Sequence, residues 1–118
     1  MGDIVYYDMT VRQGETFSET IWLVDQDGKP ISLANKTPRA QVRPTPKSNV
    51  LTANMTCTKR ESNGQITFAI DASKTKTIPV GTYAYDVCTY EDINEKRIVK
   101  YYIGGKFRVL PSVTDVLT

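Results

Sequence analysis

The stretch Thr77-Ile78-Pro79-Val80-Gly81-Thr82-Tyr83-Ala84-Tyr85-Asp86-Val87 decides the architecture. Pro79 and Gly81 are both ill-suited to the interior of regular structure, so together they mark a corner. Beyond it Tyr83, Tyr85 and Val87 recur at every second position, the period of a strand with one buried face. Pro79, Gly81 and Tyr83 are therefore expected to form a structural corner, with Tyr83, Tyr85 and Val87 turned inward. On that parity Asp86 faces outward as a surface ion-pairing residue, and Cys88 follows it.

Working outward from this strand, short alternating segments come at even intervals, separated by turn residues. Tyr7, Met9 and Val11 alternate with polar neighbours up to Gln13-Gly14-Glu15. Phe17 to Val24 is the next expected strand, with Ile21 and Leu23 on one face and Trp22 and Val24 on the other. Asp27-Gly28 supplies the positive φ of a reversal. A short extended piece at Ile31 and Leu33 precedes a strand over 39–43, with Ala40 and Val42 inward, which Pro44 and Pro46 stop. The segment from Val50 to Thr58 alternates Leu51, Ala53, Met55 and Cys57 against threonines and Asn54. Ser62-Asn63-Gly64 turns the chain into Gln65–Ile70. Asp71 is expected to cap a single helical turn. The tyrosine strand runs to Tyr90, and a polar hairpin around Asp92 and Asn94 leads into Arg97 to Ile103. Val99, Tyr101 and Ile103 take the inward parity there. Gly104-Gly105 reads as a bulge or kink before Phe107 and Val109, and Pro111 closes the strand.

About eight strands with no room for helical crossovers predict an all-β fold, an antiparallel two-sheet β-sandwich. A Tyr two residues past a Gly/Pro corner resembles the tyrosine corner of immunoglobulin-like sandwiches, where the hydroxyl bonds back to the preceding main chain. The expected organisation is one domain over 1–118, with short terminal arms at 1–5 and 112–118.

Composition narrows the function. The 118 residues carry 15 Lys and Arg against 13 Asp and Glu, a net charge of +2, without a one-sided basic stripe. A nucleic-acid partner is not expected. No apolar run approaches the ~20 residues of a membrane-spanning helix, and acidic residues stand where a signal peptide would be basic, so no membrane role is expected. Cys57 and Cys88 are the two cysteines. Cytosolic synthesis and opposite parities favour free thiols over a bridge.

The chemical inventory is thin. The chain has no histidine, which removes the usual triads and the commonest metal ligand together. There is no CxxC, no GxxxxGK and no GxGxxG, and the calcium-like start Asp25-Gln26-Asp27-Gly28 lacks its later ligands. No catalytic residue, metal ligand or cofactor is expected, and the protein is read as a non-enzyme. What stands out is aromatic excess at outward parity. Trp22, Tyr90, Ile98 and Tyr102 are the candidate partner-interface residues, because such side chains combine apolar area with a polar tip.

The succession of motifs carries a resemblance. Val11-Arg12-Gln13-Gly14-Glu15-Thr16-Phe17, Asp25-Gln26-Asp27-Gly28-Lys29-Pro30-Ile31-Ser32-Leu33, Arg39-Ala40-Gln41-Val42-Arg43, Gly81-Thr82-Tyr83-Ala84-Tyr85-Asp86-Val87 and Gly105-Lys106-Phe107-Arg108-Val109 follow in order. In this the chain resembles small β-sandwich virion proteins of tailed bacteriophages and is similar to the N-terminal domain of phage upper baseplate proteins. Glu15 and Ser32 stand where those proteins usually have Asp. The resemblance implies a virion structural component, an adaptor docking in the tail, baseplate or fibre-attachment region. Its implied partners are other virion proteins, in several copies and a symmetric arrangement, after assembly in the bacterial host cytoplasm. The alternatives are a capsid decoration (cement) protein or a host-surface carbohydrate-binding module.

Overall fold

The computed structural model describes residues 5–117. Its strands are β1 (Val5–Tyr6), β2 (Met9–Arg12), β3 (Phe17–Trp22), β4 (Thr37–Arg43), β5 (Ala53–Arg60), β6 (Gln65–Ile70), β7 (Gly81–Ile93) and β8 (Lys96–Leu110). A 3₁₀ turn over Glu61–Asn63 links β5 to β6, and one helical turn, α1 (Ala72–Thr75), follows β6. The fold is all-β, as the alternating sequence requires.

The strands lie in the order β1-β8-β7-β4-β5-β6-β3, with β2 also beside β8. This path curls over to make two layers, and β5 belongs to both. Its first residues pair with β4 (Ala53 with Val42, Met55 with Ala40), and Thr56–Arg60 pair with β6. The layers are therefore continuous through β5. The expectation of purely antiparallel pairing needs correction, because β1 and β2 run parallel to β8. Only strands joined by a tight turn are compelled to be antiparallel, and β2 and β8 are joined through most of the chain.

Between the layers lies a dry core. Phe68, Phe107, Leu33, Ile66, Ile78, Val42 and Val87 are fully buried. Phe17 stacks edge-on against Phe107, with ring centres 5.1 Å apart, and it also meets Phe68 at 6.3 Å. Tyr85 is buried beside Phe107, and its hydroxyl donates to the Tyr7 carbonyl. Burying each large apolar side chain contributes about 1.5–3 kcal/mol. The corner forms as expected: the Tyr83 hydroxyl donates to the Pro79 carbonyl at 2.6 Å, and Gly81 is the first residue of β7.

Several local readings shift. β3 ends at Trp22, and Val24 instead makes an isolated bridge with Pro30 across the turn whose amides bind the Asp25 carboxylate. β5 begins at Ala53, leaving Leu51 in an exposed connection. Asp71 occupies the cap position of α1, but its carbonyl rather than its side chain receives the Lys74 and Thr75 amides. The turn is instead tied down by Thr75, which is buried; its hydroxyl donates to the Glu15 carbonyl at 2.8 Å and accepts from the Gly14 amide.

The largest correction concerns β8. Val87 pairs with Ile103 but Cys88 pairs with Tyr101, so Tyr102 is an extra residue opposite the Val87–Cys88 step. A bulge of this kind resets the inward–outward alternation. Ile103 stays inward, whereas Val99 and Tyr101 turn outward, against their expected placement. Gly104 and Gly105 do not interrupt the strand. Gly105 is needed there for close approach: a Cβ would lie 2.8 Å from the Tyr7 carbonyl oxygen.

Of the expected N-terminal arm, residues 1–4 lie outside the described residues and Val5 is paired in β1. Residues 112–117 form no strand and are held by a 2.8 Å ion pair between Lys76 and Asp115; Thr118 lies outside the description.

Candidate docking surface

The outer face of the larger layer is built by rows that the pairing registers fix. Arg39 lies opposite Cys88, Gln41 opposite Asp86 and Arg43 opposite Ala84. Across β7, Asp86 faces Gly104, Cys88 faces Tyr101 and Tyr90 faces Val99. The small side chains Ala84, Gly104 and Gly105 leave a hollow of about 750 Å³, rimmed by Tyr6, Tyr101, Arg43, Lys106 and the 44–46 turn. Its size is that of a ligand or side-chain pocket. Tyr6 is 80% exposed and Tyr101 47% exposed, so two phenol rings border the opening.

In the middle of this face burial favours the neutral forms of Asp86, Cys88 and Tyr101. Lost hydration raises the Asp86 pKa above the ordinary carboxylate value, while the Arg43 guanidinium acts in the opposite direction. The expected ion pair on Asp86 does not form: among the described residues no cation lies within salt-bridge distance. Arg43 turns instead to Gln41 Oε1 at 2.9 Å. The Cys88 thiol and the Tyr101 phenol are also raised, chiefly by burial. Cys57, beside the core, is pushed up to about 11 by burial. A reactive thiol needs the opposite shift. Both cysteines are free.

Beyond the bulge the β7–β8 hairpin extends past the core as an arm, closed by Asn94 and Glu95, both at positive φ. On one side Tyr90 is half-buried beneath two guanidinium groups, Arg97 at 4.3 Å and Arg39 at 5.1 Å from the ring centre. Arg97 is held in place by a two-pronged contact with Asp92. On the other side Ile98, 49% exposed, lies with Tyr102 over a shallow depression containing the 2.9 Å Lys36–Glu91 ion pair.

The four sequence-predicted interface residues therefore do not make one patch. Trp22 is 63% exposed at the end of β3, in the narrower layer, where it pairs with Gln65. Tyr90 faces one side of the arm, while Ile98 and Tyr102 face the other. Tyr102 is half-buried, its hydroxyl 3.0 Å from that of the buried Thr89. Residues that the sequence reading left out of the surface are Tyr6, Val99, Tyr101, Arg39 and Arg43. Tyr101 and Val99 were hidden by the bulge, which simple alternation does not reveal.

Among the described residues no three His, Cys, Asp or Glu side chains cluster as metal ligands, and no helix is long and apolar enough to cross a membrane. What the surface offers is apolar contact, cation–π stacking and hydrogen bonding.

No family model matches the chain, and no curated protein sequence matches it. Among solved structures it is similar to the N-terminal domain of ORF48 of phage TP901-1, with a TM-score of 0.56 and 12% identity over 92% of this chain and 85% of that one. That likeness establishes a shared fold. A family 123 glycoside hydrolase from Clostridium perfringens also matches, with a TM-score of 0.41 and 15% identity; this chain spans 23% of it.

Proposed function

We propose that the protein is a non-enzymatic structural component of a tailed-phage virion, an adaptor that docks other virion proteins in the tail, baseplate or fibre-attachment region. The observation that carries this reading is the likeness, over nearly the whole of both chains, to a domain of a phage protein. Two features of the surface support it. The distal hairpin exposes apolar side chains on both of its faces, Ile98 on one and Val99 with Tyr101 on the other, which suits insertion between neighbours. On that face Asp86, Cys88 and Tyr101 are shifted toward neutral forms by burial, which suits a surface that loses water on docking.

Quantitative mass spectrometry of gradient-purified particles tests the proposal. The chain should be present in fixed ratio to the tail proteins and in far fewer copies than the major capsid protein. A capsid-like ratio would assign it the decoration role instead. Absence from intact particles would overturn both.

A further inference from the structure

The two layers differ in width, and the narrower one ends on a bare edge. β3 pairs with β6 over all six of its residues, from Phe17 with Ile70 to Trp22 with Gln65. Its other edge has no strand beside it among the described residues. The N-terminal strands, which could have covered it, lie against β8 in the wider layer. A cleft of about 270 Å³ runs between β2 and the first half of β3, lined by Met9–Val11 on one side and Phe17–Glu19 on the other.

Exposed edges are normally blunted by proline, lysine, a bulge, brevity or an inward-pointing charge. β3, Phe17-Ser18-Glu19-Thr20-Ile21-Trp22, has an unbroken register and none of the first four; its one guard is Glu19, its single charge, on the inner face. The strand is also complementary to itself. Phe17, Glu19 and Ile21 share the inner face; Ser18, Thr20 and Trp22 share the outer one, where Thr20 Oγ1 meets Thr67 Oγ1 at 2.9 Å. Two antiparallel copies must match face to face, so their symmetry axis passes through a residue. An axis at Glu19 would set two carboxylates directly opposite. An axis at Thr20 sets Glu19 opposite the other copy's Ile21, Ser18 opposite its Trp22, and threonine opposite threonine.

We propose that β3 is a self-association edge, pairing antiparallel with β3 of a second copy of this chain about a two-fold axis at Thr20. The narrow layer then continues across the dimer as one sheet, and the exposed indole of Trp22 gains a cross-strand neighbour. This inference is independent of the virion role and survives its failure.

The test uses the 118-residue chain in sedimentation and in hydrogen exchange at low and high concentration. Dimer should form as concentration rises, with added amide protection confined to 17–22. Thr20→Lys and Thr20→Glu should each weaken dimerisation by about tenfold or more, by placing like charges face to face. Mixing the two variants should restore a heterodimer. Because Thr20 also touches Thr67, circular dichroism must show both variants folded; the wild-type exchange measurement needs no variant at all. A wild type that stays monomeric with β3 unprotected overturns the proposal and leaves that edge to a segment of another protein. A dimer protected elsewhere, or one indifferent to Thr20→Lys, overturns it equally.

Discussion

The two halves of the β7–β8 hairpin share one ladder and behave as different materials. Over Gly81–Val87 and Ile103–Leu110 the inner side chains Tyr85, Val87, Phe107 and Val109 are sealed in the core. Over Cys88–Ile93 and Lys96–Tyr101 the apolar side chains Ile93, Ile98, Val99 and Tyr101 are open to solvent. The bulge at Val87–Cys88 is the boundary. One half contributes to stability, and the other spends apolar surface where it can contribute only if something covers it. Burial, rather than residue type, separates scaffold from contact surface.

Substitutions can sharpen that contrast. The largest effect should come from Phe107→Ala in the sealed half, lowering unfolding free energy by about 3–5 kcal/mol in urea titration, through the cavity left between Phe17 and Tyr85. A loss below about 1 kcal/mol would mean that the core collapses around the gap. Gly105→Ala should cost about 1–3 kcal/mol by the same measurement, because the new methyl meets the main chain of Tyr7. Tyr83→Phe removes the corner hydrogen bond and should cost about 0.5–1.5 kcal/mol. In the open half, Val99→Ser with Ile98→Ser should change stability by no more than about 0.5 kcal/mol, yet reduce incorporation into particles. Equal losses from the open and sealed halves would erase the distinction.

A pH measurement probes the body beside that boundary. With its pKa near 11 in the fold against 9.0 for an ordinary thiol, Cys57 holds its proton in the native state where the unfolded chain has lost it. Its contribution to stability is therefore complete below pH 9 and is lost as pH rises from 9 toward 11. Alkylation of Cys57 in a Cys88→Ser background should be roughly fifty-fold slower at pH 9 for folded than for unfolded protein, in proportion to thiolate. Equal rates would place Cys57 in water.

Much of this was legible in the sequence. Tyr83 with Pro79 announced the corner, alternation in Gln65–Ile70 and at Ala40 and Val42 announced core strands, and Gly64 announced the reversal, where a Cβ would strike the Leu23 carbonyl. What escaped has physical causes. An extra residue such as Tyr102 leaves no mark in a period-two pattern, so Val99 and Tyr101 were turned to the wrong side. Strand direction between distant partners, as in β2 with β8, is set by tertiary packing rather than local chemistry. The hollow at Ala84 and Gly104 arises from side chains that are absent, and small residues far apart in sequence give no sign that they will meet.

The parallel pairing of β2 with β8 has a mechanical consequence. Met9 lies beside Phe107 and Arg12 beside Leu110, so the chain leaves the two strands at opposite ends of their shared ladder. Tension applied through the two termini loads those bonds in shear, all together, instead of peeling them one by one. Pulling a single molecule by its ends should meet a higher rupture force than pulling between the hairpin tip and either terminus.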